Sequence, residues 1–186
     1  MKLSEQKSHR VGDWMQTRGG RQFWPLDPHP EEIHIDDIAA ALSKLCRYGG
    51  HCLRFYSVAE HCVHVANAAP RDVALAALLH DASEAYLSDV IRPIKSHLAN
   101  YLAIEADLER AISLRFGTAW PMPSEVKRLD NSILWAEMTQ NMTVPPEPWA
   151  KWLTDAPLDV TLQFWSPDQA EAEFLSAFHK FGGVNV

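Results

Sequence analysis

The sequence predicts an all-α protein, a compact bundle of about five to seven helices trimmed by irregular, aromatic-rich loops. Apolar residues recur at spacings of three and four along most of the chain. Helix-start residues and Gly or Pro stops bracket those stretches.

The segment up to Pro30 carries Trp14, Phe23 and Trp24 among several Gly and Pro residues and reads as irregular. "DDIAAALSKLCRY" sets Ile38, Leu42 and Leu45 on one helical stripe, which Gly49-Gly50 breaks, and "HCLRFY" reads as loop or short extended structure. "SVAEHCVHVANAAP" opens with Ser57 and Glu60 in capping-box register, buries Val58, Cys62, Val65 and Ala69, and stops at Pro70. "RDVALAALLHDASEAY" follows after almost no loop and is apolar nearly all round, which predicts a central helix. "SHLANYLAIEADLERAISLRFG" turns Leu98, Leu102, Leu108 and Ile112 inward and ends at Gly117. "PSEVKRLDNSILWAEMTQ" starts at Ser124 and carries Val126, Leu129, Ile133 and Leu134. The Pro- and Trp-rich "NMTVPPEPWAKWLTDAPLDVTLQFW" is not helical by pattern. "SPDQAEAEFLSAFHKFG" closes the order, with Ser166 as cap and Pro167 at the first helical position.

A length of 186 residues fits a single domain over 1–186 with a core of its own. The formal net charge of −7 argues against a nucleic-acid polymer or an anionic membrane as partner, since both need a basic face. It leaves room for a small basic pocket around a phosphorylated metabolite. "MKLSEQKSHR" lacks the apolar stretch of a signal peptide, and the longest apolar run, Val73 to Leu79, is too short to span a bilayer. Cys46, Cys52 and Cys62 cannot all pair and form no Cys-x-x-Cys unit; they read as small core hydrophobes in a reducing cytoplasm.

Chemistry concentrates where the apolar "VALAALL" run delivers His80, Asp81, Glu84 and Asp89. Charges at the end of so greasy a helix are costly to bury unless something neutralises them. On a continuous helix His80 and Asp81 lean toward one point, with Glu84 on the same side. Imidazole and carboxylate together suit a divalent ion, which needs further ligands from elsewhere. His61 on the preceding helix and Asp130 on "VKRLDNSIL" are candidates. A structural zinc site of Cys46, Cys52, His61, Cys62 and His64 matches no standard knuckle, and His64 reads as a satisfied core histidine.

"VAEH", then "LLHDASEAYLSDVIRPIK", then "RLDNSIL" resembles the HD superfamily of metal-dependent phosphohydrolases, in its 5'-deoxynucleotidase and deoxynucleotide triphosphohydrolase branch. "DWMQTRGGRQFWPLDPHPEEIHIDDIAAALSKLCRYGGH" is similar to small, often phage- or prophage-borne members, so the likeness spans residues 10–137. The resemblance implies one divalent ion (Mn, Co, Mg, Fe, Ni or Zn) held by His61, His80, Asp81 and Asp130. Such an ion lowers the pKa of water and polarises a phosphoryl group. The resemblance also makes Glu84 and Asp89 the acids that orient or deprotonate the attacking water or protonate the leaving oxygen. The Arg-aromatic pair that contacts phosphate and sugar in deoxynucleotidase relatives falls on Arg47-Tyr48, with Tyr48 standing where relatives often carry Trp. His51, Arg54 and Lys95 are further candidates for the anionic end.

The implied function is a cytoplasmic 5'-deoxynucleotidase that converts a deoxynucleoside monophosphate to deoxynucleoside and phosphate. Two alternatives stand beside it: a triphosphohydrolase releasing triphosphate, and a non-catalytic module that binds metal and nucleotide. Retention of Glu84 and Asp89 favours an enzyme over the module. Relatives of this type commonly self-associate, which leaves a homo-oligomer open as a partner arrangement.

Overall fold

The computed structural model describes residues 10–149, 153 and 155–184. The extreme N-terminal segment read for a signal peptide, and Ala150, Lys151, Trp152 and Thr154 of the Pro- and Trp-rich stretch, lie outside the described residues. The architecture is predominantly helical. A two-stranded antiparallel hairpin, β1 (Met15–Gln16) with β2 (Gln22–Phe23), precedes α1 (Ile35–Leu42), α2 (Val58–Ala68), α3 (Ala74–Leu78), α4 (Glu84–Leu87), α5 (Arg92–Lys95), α6 (Ala99–Phe116), α7 (Ser124–Asn141) and α8 (Pro167–Lys180). Among the described residues no helix is long and apolar enough to cross a membrane.

The centre of the bundle is α2, which packs against α1, α3, α7 and α8. Val58, Cys62 and Val65 are fully buried there, with Ile38 and Leu42 from α1, Leu108 and Ile112 from α6, Ile133 from α7, and Phe174 and Phe178 from α8. The "VALAALL" segment is buried as predicted, with Ala74, Ala77 and Leu78 fully buried where α3 packs on α2 and touches α8. At the start of α8 the expected cap is present, with Ser166 and Gln169 satisfying each other's backbone amides and Pro167 at the first position.

Four local expectations are corrected. Helix α1 ends at Leu42 instead of running to Tyr48. The Ser43 hydroxyl and Lys44 ammonium both donate to the Ala40 carbonyl, so side chains take over helix-end bonding and the chain extends at Cys46. Second, "VALAALLHDASEAY" is not one helix. After α3 the backbone tightens into three-residue bonding (Ala82 N–H to Leu79, Glu84 N–H to Asp81) before the single turn α4. Third, Leu98 and Leu102 are each 39% exposed, because α6 enters the core only from Glu105 onward.

The fourth concerns Ser57 and Glu60. The Ser57 hydroxyl caps the Glu60 amide at 3.0 Å, but the Glu60 carboxylate does not reach back. Fully buried, it accepts the successive amides of Gln163, Phe164 and Trp165 at 2.7, 2.9 and 2.7 Å. Phe164 lies in the left-handed region (φ 56°), which helps aim three neighbouring N–H groups at one carboxylate. One side chain of the central helix thereby anchors the end of the Pro- and Trp-rich stretch.

Candidate metal centre

Three parts of the fold meet at one point. His61 comes from the buried face of α2, His80 and Asp81 from the tight turn between α3 and α4, and Asp130 from α7. The turn matters, because it carries both residues out of the helical register that continuous winding would impose. His80 also holds the turn in place, donating from Nδ1 to the Ala77 carbonyl at 2.7 Å.

The four side chains converge through specific atoms. His61 Nε2 and His80 Nε2 are 3.2 Å apart. An Asp130 Oδ1 oxygen lies 3.3 Å from the first and 3.9 Å from the second. Asp81 Oδ2 lies 3.2 Å from His80 Nε2 and 3.7 Å from His61 Nε2. Ligands each ~2.1 Å from a shared ion stand ~3–3.5 Å from one another, and this spacing is close to that.

The donor chemistry fits a cation as well. Both Nδ1 positions are engaged, His61 with the Glu137 carboxylate at 2.7 Å and His80 with the Ala77 carbonyl. Carbonyl and carboxylate oxygens only accept, so each Nδ1 carries the hydrogen and each Nε2 offers a lone pair in the neutral ring. Two lone pairs and two carboxylate oxygens pointing at one spot repel unless positive charge lies among them. Burial disfavours charge on His80, yet the Asp81 carboxylate beside it holds its pKa well above the ordinary imidazole value. Burial opposes ionisation of Asp81 and Asp130 too, but the imidazoles hold both below the usual carboxylate range.

Cys62, His80 and Asp81 form a second, overlapping group of metal-ligating types. Burial pushes the Cys62 thiol up, which works against the thiolate a metal requires. The His61, His80, Asp130 group, extended by Asp81, is the better match to a divalent ion.

In front of this cluster opens a cavity of about 590 Å³, lined on its polar side by Arg47, Asp81, Glu84, Asp89, Lys95 and Asp130. Tyr48 and His51 also line it, so the structure brings the substrate-side candidates to the same space as the ligand candidates. Arg47 reaches Asp81 at 3.6 Å and Glu137 at 3.2 Å. Lys95 pairs with Glu105 at 2.7 Å while lining the cavity. Arg54 is not among the described lining residues; its guanidinium lies 3.8 Å from the centre of the Phe164 ring. His64 pairs with Glu60 at 3.3 Å and stacks on Trp165, as a satisfied histidine of the core should.

Glu84 is buried and its Oε2 has no hydrogen-bond partner among the described residues. Burial, with Asp81 and Asp89 adding negative charge, pushes its pKa well above the usual carboxylate value. Asp89 is raised as well, chiefly by burial, against the pull of Arg47.

Residues that sequence reasoning missed are also here. Glu137, fully buried, bonds His61, Arg47 and the Tyr48 hydroxyl. It follows Asp130 by two helical turns on the same face of α7, a spacing legible in "DNSILWAE". Lys127 and Arg92 flank Asp130 at 2.7 and 3.7 Å, and Trp149 adds an aromatic wall.

No family model matches the chain. The sequence is 36% identical over 124 residues to the uncharacterized protein YfdR of Escherichia coli K12, covering 67% of this chain and 70% of that protein. It is 39% identical over 125 residues to the uncharacterized protein RCAP_rcc00048 of Rhodobacter capsulatus, covering 62% of this chain and 64% of that one. A helical bundle that gathers two imidazoles and two carboxylates beneath a cavity is thus paired with a likeness spanning more than two thirds of the Escherichia coli protein, and the chain belongs to the YfdR family.

Proposed function

We propose that the chain is a divalent-metal-dependent phosphohydrolase of the HD superfamily, acting in the cytoplasm as one unit over 1–186 on a deoxynucleoside 5'-monophosphate. The observation that supports this most is the meeting of His61 Nε2, His80 Nε2, Asp81 and Asp130 at the inner end of a cavity that also presents Arg47. When bound there, a divalent ion lowers the pKa of water and polarises a phosphoryl oxygen.

The chain's own residues supply the rest. Arg47 presents a planar fork suited to phosphate oxygens, and Lys95 and His51 add positive or donating groups along the same wall. Glu84, whose acid form burial and the neighbouring Asp81 and Asp89 favour, serves in this reading as the donor of a proton to the leaving 5'-oxygen. Asp89, on the same rim, orients the attacking water. The non-polar wall of Ile91, Leu134, Met142 and Trp149 with Tyr48 offers a base and sugar an apolar, partly aromatic bed.

A second reading, hydrolysis of a deoxynucleoside triphosphate with release of triphosphate, draws on Arg92 and Lys127 beside Asp130, since a longer phosphate chain needs extra cations. One experiment tests both. Purified protein is incubated with Mn²⁺, Co²⁺ or Mg²⁺ and a panel of ribo- and deoxynucleoside mono- and triphosphates, scoring phosphate against triphosphate release. Phosphate release from deoxynucleoside monophosphates is expected. Triphosphate release selects the second reading, and no turnover with any metal overturns the enzyme in favour of a binding module.

A further inference from the structure

Glu137 sits behind the candidate metal centre, fully buried, and divides its two oxygens between two jobs. Oε1 accepts His61 Nδ1–H at 2.7 Å. Oε2 accepts an Arg47 N–H at 3.2 Å and also the Tyr48 hydroxyl. All three neighbours are donors, so only an acceptor-only group satisfies them together.

The backbone of the substrate-facing turn gives an independent sign. Tyr48 lies in the left-handed region (φ 59°, ψ 24°), followed by Gly49 at φ 60°. A bulky aromatic residue rarely adopts that conformation, and it persists only where its surroundings hold it. The tether that the structure supplies at the far end of the side chain is Glu137. The consequence is that Arg47 and Tyr48 project from adjacent positions into the cavity, with the Arg47 guanidinium 5.4 Å from the Tyr48 ring centre.

Resting on the proposed metal and phosphate reading of the site, we infer that Glu137 is the positioning residue that joins its two halves. Through Oε1 it fixes the His61 tautomer, leaving Nε2 free to face the ion. Through Oε2 it sets the Arg47-Tyr48 turn that faces the substrate. A carboxylate behind a metal-binding imidazole raises ligand basicity and holds the ring's orientation. Here the same carboxylate also orients the phosphate arm, Oε1 bracing the metal ligand and Oε2 the substrate-facing turn.

The test is Glu137→Gln, which keeps shape and volume but replaces one acceptor with a donor. Arg47 can only donate, so the amide oxygen stays with it and the NH₂ turns to His61 Nδ1. That reverses the His61 tautomer and puts a hydrogen where the ion binds. Isothermal titration calorimetry with Mn²⁺ alone should then show affinity weakened by about 10–100-fold relative to the unmodified chain. A side chain that merely fills space would be replaced by Gln without effect.

Tyr48→Phe removes one hydroxyl from the other oxygen and keeps the fold. It should raise the KM for a deoxynucleoside monophosphate by roughly threefold to tenfold, with kcat and the Mn²⁺ affinity unaltered. Wild-type Mn²⁺ affinity in a folded Glu137→Gln chain, or an unchanged KM in Tyr48→Phe, overturns the inference and leaves the proposed function standing. Failure of the unmodified chain to bind any of Mn²⁺, Co²⁺, Mg²⁺, Fe²⁺, Ni²⁺ or Zn²⁺ overturns both.

Discussion

His61 and His80 face each other Nε2 to Nε2 at 3.2 Å, each with its Nδ1 hydrogen already given to an oxygen of the protein. Two rings from different parts of the chain are thereby held with lone pairs toward a common point. Asp81 and Asp130 add negative charge to the same point, so the arrangement is a cation trap.

Asp81→Ala should remove a ligand and half the carboxylate charge without touching the core, since its side chain is 21% exposed. Elemental analysis after loading with Mn²⁺ and desalting is expected to find metal near one equivalent in the unmodified chain and little in the variant. Far-UV circular dichroism should be unchanged. Equal metal content in both would remove Asp81 from the ligand set.

Arg47→Ala separates substrate from metal. The guanidinium touches Asp81 and Glu137 rather than either imidazole, so metal content should persist. Loss of a charge-assisted hydrogen bond to phosphate costs about 1.5–3 kcal/mol, or roughly tenfold to a hundredfold in KM. Unaltered KM and kcat would take Arg47 out of the phosphate site.

Glu84→Gln tests the proton donor. A positioned general acid contributes about 10²–10⁴-fold, and that loss should appear in kcat. Burial and the neighbouring acids raise the Glu84 pKa, so its acid form persists above the usual carboxylate range and is lost as pH rises through the raised value. The high-pH decline in kcat should therefore be absent in the variant. Folding stability carries the same sign: unfolded Glu84 releases its proton first, so this group contributes less stability as pH climbs past the ordinary carboxylate range.

Glu60→Ala addresses the fold rather than the chemistry. It abandons three backbone N–H groups at residues 163–165 and should cost about 2–4 kcal/mol in urea unfolding. Despite burial, His64 and those amides hold the Glu60 pKa below its usual value. Its stabilisation is full above the ordinary carboxylate range and disappears as pH falls through the lowered value. A variant as stable as the parent chain would show that Glu60 does not anchor this stretch.

Most helices were legible because their signals are local. The Ser166-Pro167 start of α8, the Gly117 stop of α6 and the apolar stripe of α7 depend on nearest neighbours along the chain. The break between α3 and α4 was not legible, because it is set by His80 turning back on the Ala77 carbonyl and by the convergence with α2 and α7. Glu60 misled for a similar reason. Its capping register is real, but amides a hundred residues away compete for the carboxylate and win. The four ligand candidates could be named from motif likeness, whereas Glu137 needed either the two-turn spacing from Asp130 or the structure itself. Leu98 and Leu102 obeyed helical periodicity without a core to face.

The measurement that bears most directly on the cation trap is anomalous diffraction from crystals soaked in Mn²⁺, recorded at the manganese edge. The account predicts one strong peak about 2.0–2.3 Å from His61 Nε2, His80 Nε2 and an oxygen of each of Asp81 and Asp130. A peak bound elsewhere, or none between those four side chains at saturating Mn²⁺, would contradict it.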